Sequence, residues 1–248
     1  MVNADIGPMG HFWMGTSLKF RCEQSMKGMR MGKTIGVLLS GCGVFDGAEI
    51  HEAVLTLLFL DRAGATIMCM APDMDQLHVI DHLTQQAADE RRNVLAESAR
   101  IARGEIRDIR DVSADDIDAL IIPGGFGAAK NLSDFAVKGP DCQVHPDVQR
   151  LLVQMAERAK PIGAMCIAPA TVVSALSSRS PRVTIGSDVG TAAGIETMGG
   201  SHAVCGVADI CMDEKNRIVT TPAYMLGPGI KDVAEGIEKL VGQVLALC

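Results

Sequence analysis

Residues 33–60, KTIGVLLSGCGVFDGAEIHEAVLTLLFL, contain a strand-turn-helix pattern that indicates the fold class. The aliphatic run Lys33–Ser40 and the following Gly41-Cys42-Gly43 predict a buried strand that ends in a tight turn. Asp46 and Glu49 match a capping box with Asp46 as the N-cap, and apolar residues then recur at helical spacing. A strand leading into a helix in this way is the first half of a βαβ unit.

The rest of the chain repeats this alternation. The later strands are predicted at Ala65–Met70, Asp118–Pro123, Pro161–Met165, Val183–Ile185, Ala203–Val207, Ile210–Asp213 and Ile218–Thr220. The later helices are predicted at Gly127–Val137, Pro146–Lys160, Ala168–Leu176 and Ile230–Leu247. Residues 75–110 are polar, with helical periodicity strongest from Ala87 to Arg103, and we expect them to lie outside the basic sheet. The sequence therefore predicts an α/β fold, a mostly parallel sheet with helices on both faces.

Composition limits the class of protein. The chain has 248 residues, of which 48% are hydrophobic and 3% aromatic, and this length suits one domain with an aliphatic core. The formal net charge of −7 argues against a basic footprint for nucleic acid or for an anionic membrane. The longest apolar run is much shorter than the roughly 20 residues of a bilayer span. We therefore expect a small-molecule substrate, with neither nucleic acid nor membrane as a partner.

Residues 1–31 form a leader that we exclude from the domain predicted at residues 32–248. The leader lacks the apolar core of a secretory signal, and the acids Asp5 and Glu23 argue against a transit peptide, which is usually poor in acids. The eight cysteines show no paired spacing and are predicted to be reduced thiols. These observations predict a cytoplasmic protein.

Cys166 is the candidate nucleophile. In a parallel sheet, ligands bind beyond the carboxyl ends of the strands, and Cys166 lies between a predicted strand and a predicted helix. Backbone N–H groups and the helix dipole at such a turn favour a thiolate. The alternative is that Cys166 is a small buried hydrophobe, as most free cysteines are. Cys42, at another strand end, is the rival candidate.

Two further turns supply candidate partners. Gly124 and Gly125 follow a strand, so their N–H groups could join that of Ile167 in an oxyanion hole, although a Gly-Gly pair is also common in plain turns. If Glu49 is used in capping, Glu52 is either a solvated acid near a helix N-terminus or a carboxyl that faces the sulfur. In the second case the carboxyl and the thiol would share one proton.

Other patterns give weaker signals. His202, Cys205 and Cys211 match no zinc framework, so we predict no metal site. Gly41-Cys42-Gly43 lacks the third glycine of a dinucleotide-binding loop, so we predict no nucleotide cofactor.

Four blocks of the sequence resemble a known superfamily. They are SGCGVFDGAEIHEAVL (residues 40–55), IPGGFGAAKNLSDFA (122–136), MCIAPA (165–170) and IVTTPAYML (218–226). In this order they resemble the PfpI and parkinsonism-deglycase superfamily, which has a class I glutamine-amidotransferase-like, flavodoxin-like three-layer fold. They are most similar to its ElbB-type glyoxalases, historically labelled isoprenoid-biosynthesis proteins. The resemblance runs from about Lys33 to the C-terminus.

The resemblance implies a cofactor-free, glutathione-independent glyoxalase that converts glyoxal to glycolate, with protein deglycation as a related activity. It implies Cys166 as the nucleophile, Glu52 as the acid that shares its proton, and the N–H groups of Gly125 and Ile167 as oxyanion donors, beside Gly124. It also implies a homodimer and a small aldehyde such as glyoxal as substrate.

The sequence departs from the superfamily at two positions. Many members have His directly after the cysteine, where this chain has Ile167, and others have His about twenty residues on, at the Ile185–Asp188 turn of this chain. A Cys-His peptidase or a glutaminase with a late histidine is therefore disfavoured. His51 and His202 remain candidates to assist the sulfur. A redox-sensing or interaction protein, with a reactive cysteine and little turnover, is the alternative from another class.

Overall fold

A computed structural model of the protein describes residues 32–248, so the predicted leader, residues 1–31, lies outside the described residues. The strands of the described part are β1 (Thr34–Leu38), β2 (Thr66–Ala71), β3 (Ile106–Asp108), β4 (Ala119–Ile122), β5 (Ile162–Met165), β6 (Arg182–Val183), β7 (Ser201–His202), β8 (Cys211–Asp213) and β9 (Ile218–Thr221). Its helices are α1 (Ile50–Arg62), α2 (Val94–Ile101), α3 (Phe126–Lys130), α4 (Phe135–Lys138), α5 (Pro146–Glu157), α6 (Ala168–Ala175), α7 (Val189–Thr197) and α8 (Ile230–Leu247).

The main sheet has seven strands in the order β3-β2-β1-β4-β5-β9-β8. Neighbouring strands are parallel except at one edge, where β8 runs antiparallel to β9. β6 and β7 form a separate two-stranded sheet. The carboxyl ends of four neighbouring strands, β1, β4, β5 and β9, therefore lie side by side at the same end of the sheet. Ligands of such folds bind at this end.

Helices cover both faces of the sheet. Along β4, Leu120 and Ile122 pack into the core on one face, and Ala119 and Ile121 pack into the core on the other, as the alternation of side chains in a strand requires. The first core also contains apolar residues of α3, α5 and α6, and the second contains residues of α1, α2 and α8. The predicted three-layer α/β fold is confirmed.

No helix in the described part of the chain is long and apolar enough to cross a bilayer.

Two differences from the predicted elements concern the region before β4. The N-cap of α1 is Glu49 and not Asp46, whose carboxylate instead accepts a hydrogen bond from the amide of Ile80 at 2.7 Å. The polar region 75–110 lies partly within the sheet and not wholly outside it, because its last residues form β3, which pairs with β2 at the sheet edge. The pairing of β3 with β2 joins residues that are far apart in the sequence, so no local sequence pattern predicts it.

Three differences concern the second half. The helix predicted over Gly127–Val137 is divided into α3 and α4, because the side chain of Asn131 bonds the backbone of other loops at Ser40 and Asp46. The strand predicted at Ala203–Val207 is absent. The short strand β7 ends directly before these residues. Helix α7 was not predicted, because Gly190 and Gly194 weaken the helical signal.

Candidate active site

The turn between β5 and α6 holds Cys166 in an unusual conformation. Its φ angle is +58°, in the left-handed region, which costs a residue with a side chain roughly 1–2 kcal/mol. The side chain is only 8% exposed. The amide of Cys166 donates to the carbonyl of Thr221 at 3.1 Å, which fixes the turn to the end of β9. Backbone strain of this kind is concentrated at functional sites.

Two backbone N–H groups point at the sulfur. They belong to Gly125, after β4, and to Ile167, the N-cap of α6, and both favour the thiolate, although desolvation by burial raises the pKa of the Cys166 thiol overall. Gly125 has a φ angle of +90°, which suits glycine alone. Of the three predicted donors, Gly125 and Ile167 are therefore near the sulfur, where they can also bind a negative oxygen that forms beside it, whereas the N–H group of Gly124 donates to the Glu52 carboxyl instead.

Glu52 is fully buried near the sulfur. Its Oε2 accepts a hydrogen bond from the amide of Gly124 at 2.8 Å, and its Oε1 accepts one from the amide of Tyr224 at 3.2 Å. The Cys166 thiol is a neighbour of the same carboxyl, and the two groups affect each other's pKa. A Cβ atom added at Gly124 would lie 2.8 Å from Oε2 and 3.0 Å from Sγ, so only glycine leaves room for both groups.

Glu49 has a different role from Glu52. Its Oε2 accepts a hydrogen bond from the amide of Glu52 at 2.7 Å and so caps α1, and its own amide donates to the carbonyl of Gly124 at 2.9 Å. Because the helix begins directly after Glu49, Glu52 is at the third helical position. Its side chain points into the protein, toward the loop that contains Gly124. The choice that the sequence left open is resolved: Glu49 caps the helix and Glu52 faces the sulfur.

Burial raises the pKa of both groups in this pair. Desolvation and the nearby Glu49 raise the pKa of Glu52 from 4.5 to about 8, against the opposing effect of its two N–H donors. Desolvation and the Glu52 carboxyl raise the pKa of the Cys166 thiol above its ordinary value. The pair therefore loses its first proton at a higher pH than an isolated carboxyl would.

The two candidate histidines have other partners. His51 is exposed, and its Nδ1 forms a 2.7 Å hydrogen bond with the hydroxyl of Tyr224. His202 lies in β7, where its Nε2 accepts a hydrogen bond from the amide of Ile185 at 3.4 Å. The amide of Tyr224 holds Glu52, a role that the sequence does not predict, because a backbone contact is independent of residue type.

The rival cysteine, Cys42, has a different environment. It is half-buried after β1, and burial together with Glu97 raises the pKa of its thiol. It lacks the pair of converging N–H groups that Cys166 has.

Among residues 32–248, no group of three or more His, Cys, Asp or Glu side chains is close enough to hold a metal ion.

The arrangement as a whole suits covalent catalysis. A thiol able to attack a carbonyl carbon lies between an acid that can take its proton and two N–H groups that can hold the resulting oxygen.

Known proteins share this chain's sequence pattern. The pattern of the DJ-1/PfpI family matches residues 42–221. The human glutamine amidotransferase-like class 1 domain-containing protein 3, mitochondrial, is 47% identical over 228 residues, which are 88% of this chain and 84% of that protein. The zebrafish (Danio rerio) ES1 protein, mitochondrial, is 35% identical over 206 residues, 77% of this chain and 76% of that protein.

A solved structure is similar as well. It is an isoprenoid biosynthesis protein with an amidotransferase-like domain from Ehrlichia chaffeensis, which is 38% identical and superposes with a TM-score of 0.82 over 87% of this chain and 99% of that chain.

The expected cytoplasmic location is wrong in the light of these relatives, since both curated relatives carry "mitochondrial" in their names. The absence of a secretory signal argues only against secretion, and reduced cysteines do not distinguish the cytoplasm from other reducing compartments. Asp5 and Glu23 were therefore too little evidence against a transit peptide.

The family pattern extends from the turn after β1 to the last residue of β9 and includes the carboxyl, the glycine turn and the cysteine of the site. The chain belongs to the DJ-1/PfpI family of class I glutamine-amidotransferase-like proteins.

Proposed function

We propose that the protein is an ElbB-type, cofactor-independent and glutathione-independent glyoxalase that converts glyoxal to glycolate, with protein deglycation as a related activity. The observation that carries this proposal is the burial of the Cys166 thiol and the Glu52 carboxyl as neighbours against Gly124, beside the N–H groups of Gly125 and Ile167. Such a pair can attack an aldehyde and also move a proton on the carbon attacked.

The first step forms a hemithioacetal. The Glu52 carboxylate takes the thiol proton while the sulfur of Cys166 bonds to one aldehyde carbon, and the carbonyl oxygen becomes an alkoxide. The N–H groups of Gly125 and Ile167 then donate hydrogen bonds to this oxygen, because the sulfur has lost its negative charge on bonding to carbon. Glu52 then gives its proton to the alkoxide and is again a carboxylate.

The second step moves hydrogen between the two carbons of glyoxal. Glu52 removes the proton from the carbon bonded to sulfur, and the electron pair gives an enediolate. A proton passes between the two enediol oxygens, and Glu52 returns its own proton to the second carbon, which leaves a glycolyl thioester on Cys166. Water then adds to the thioester, the C–S bond breaks, and glycolate and the free thiol are released.

The pKa of Glu52 suits this work. A value of about 8 lies close to physiological pH, where a group both accepts and donates protons efficiently. The thiol does not need to be ionised at rest, because its proton leaves only as the C–S bond forms.

The redox-sensing alternative is less well supported. Oxidation by peroxide needs an accessible thiolate, whereas burial and Glu52 keep the resting Cys166 protonated. Peroxide that modifies Cys166 rapidly, in a protein that does not turn over glyoxal, would favour the sensor.

Two further proposals concern the setting of the enzyme. The names of the relatives favour a mitochondrial location, which imaging of the full chain with a C-terminal fluorescent tag would test. A homodimer is proposed from the family resemblance, and light scattering of the purified protein would test it.

Glycolate release from glyoxal is the direct test of the proposed function. The wild type should form glycolate above the buffer rate, and both Cys166→Ala and Glu52→Gln should reduce the rate to that of buffer. Cys42→Ala is the matched control, because it removes another strand-end thiol and should leave the rate unchanged. The proposal fails if the wild type forms no glycolate, or if Cys166→Ala is as active as the wild type.

A further inference from the structure

One short segment after β9 contacts both members of the Cys166–Glu52 pair. The carbonyl of Thr221, the last residue of β9, accepts a hydrogen bond from the amide of Cys166 at 3.1 Å. Three residues later, the amide of Tyr224 donates a hydrogen bond to Oε1 of Glu52 at 3.2 Å. The position of this segment therefore affects where the thiol and the carboxyl lie relative to each other.

The backbone of the segment is strained directly before Tyr224. Ala223 is fully buried and has a φ angle of +45°, in the left-handed region that disfavours residues with a side chain. A conformation of this kind persists only where the surrounding contacts stabilise it. Because this turn directs the Tyr224 amide toward Glu52, contacts that hold Tyr224 in place also preserve the hydrogen bond to the carboxyl.

The side chain of Tyr224 makes such a contact. Its hydroxyl forms a 2.7 Å hydrogen bond with Nδ1 of His51, and the centroids of the two rings are 5.7 Å apart. His51 directly precedes Glu52 in α1. Tyr224 is therefore joined to two consecutive residues of α1, through its amide to Glu52 and through its hydroxyl to His51. Each of the two bonds keeps the partners of the other close together.

We propose that His51 and Tyr224 are positioning residues for the site, and that their side-chain hydrogen bond holds the Tyr224 amide against the Glu52 carboxyl. The importance of this bond for turnover rests on the proposed function, whereas its effect on Glu52 is independent of any substrate. His51 thus assists the sulfur of Cys166 through Glu52 and not as a base in direct contact with it.

The ionisation of Glu52 should respond to this hydrogen bond. Desolvation and the nearby Glu49 raise the pKa of Glu52, whereas the N–H group of Tyr224 favours the ionised carboxyl and opposes that rise. The other titratable group that acts on this carboxyl is the thiol of Cys166. If the amide of Tyr224 moves away, the ionised carboxyl loses a donor, and the pKa of Glu52 rises further.

Carbon-13 NMR of the side-chain carboxyl groups measures this change. The signal of Glu52 is assigned by its absence in Glu52→Gln, and its titration midpoint is compared between the wild type, Tyr224→Phe and His51→Ala. Each variant should lower the ionisation constant of Glu52 about 3-fold, a midpoint about half a pH unit higher, as expected for one exposed hydrogen bond. The double variant should give the same midpoint as either single variant, because all three lack the same bond.

His51→Asn and His78→Ala are the matched variants. The asparagine amide has a polar atom where Nδ1 of histidine stands, so His51→Asn should keep the wild-type midpoint. His78→Ala removes another exposed histidine and should also leave the midpoint unchanged. Unchanged midpoints in both Tyr224→Phe and His51→Ala would overturn the proposal. A shift in His51→Ala alone would overturn it as well, because the imidazole would then act on Glu52 without Tyr224.

Turnover separates this positioning role from the proposed function. The NMR titration needs no substrate, so equal shifts in the two single variants support the positioning role even if the protein forms no glycolate. If glycolate is formed, the dependence of kcat/KM for glyoxal on pH should move upward in both variants together with the NMR midpoint. A wild type that converts glyoxal, with unchanged midpoints in both variants, would leave the proposed function intact and refute the positioning role.

Discussion

Replacing Glu52 by glutamine should change how the stability of the protein depends on pH. The folded protein holds the Glu52 proton up to about pH 8, whereas the unfolded chain releases it near 4.5. Below pH 4.5 the raised pKa therefore has no effect on the free energy of unfolding. As the pH rises from 4.5 to about 8, the free energy of unfolding falls progressively. Glu52→Gln has no proton to lose and should escape this loss.

The size of the effect follows from the two pKa values. A pKa of about 8 in place of 4.5 corresponds to roughly 5 kcal/mol of stability lost once the pH exceeds both values. Between pH 5 and pH 7.5, the stability of Glu52→Gln relative to the wild type should rise by about 3 kcal/mol. The glutamine amide cannot accept from both Gly124 and Tyr224, which costs about 1–3 kcal/mol at every pH. The change with pH is therefore the informative quantity.

Urea unfolding followed by far-ultraviolet circular dichroism at pH 5, 6, 7 and 7.5 measures this change. Asp61→Asn, which removes an exposed carboxyl from the same helix, controls for the loss of one negative charge. A constant difference in stability between Glu52→Gln and the wild type over this range would contradict a raised pKa, because it would mean that Glu52 ionises in the folded protein much as it does in the unfolded chain.

Three other predictions follow from the same geometry. The value of kcat/KM for glyoxal should rise from pH 6 to about 8 and then level off, since the Glu52 carboxylate begins the reaction; a flat profile measured by initial rates would contradict this. Cys166→Gly should be more stable than Cys166→Ala by about 1 kcal/mol in urea unfolding, because the φ angle of +58° is strained for alanine; the usual order, with alanine the more stable, would contradict it. Gly125→Ala should lose at least about 2 kcal/mol in the same assay, since its Cβ would collide with the amide of Glu49, and a wild-type stability would show that this turn is free to move.

The sequence predicted the sheet well because its strands are short aliphatic runs with clear ends. The run Lys33–Ser40 contains β1, and Ile230–Leu247 was predicted with the bounds that α8 has. Elements were missed where long-range contacts or open space overrule local preference. β3 depends on pairing with β2, and α7 forms despite two glycines that face a cleft.

The sequence predicts which residues form the site but not how they are arranged in space. A capping pattern at Asp46 would have placed Glu52 one turn further along α1, but Asp46 is held by the amide of Ile80, and the helix begins after Glu49 instead. That three-residue shift is what puts the Glu52 carboxyl against the sulfur. The sequence does not predict that the Tyr224 amide donates to Glu52, because this hydrogen bond depends on the end of β9 lying beside β5.

The most direct test of the Cys166–Glu52 account is mass spectrometry of the intact protein after brief exposure to glyoxal, together with NMR detection of glycolate. We expect the wild type to add one glyoxal to Cys166 and to release glycolate, whereas Glu52→Gln, which has no carboxylate to take the thiol proton, and Cys166→Ala should do neither. Glycolate formed equally by Cys166→Ala and the wild type would contradict the account.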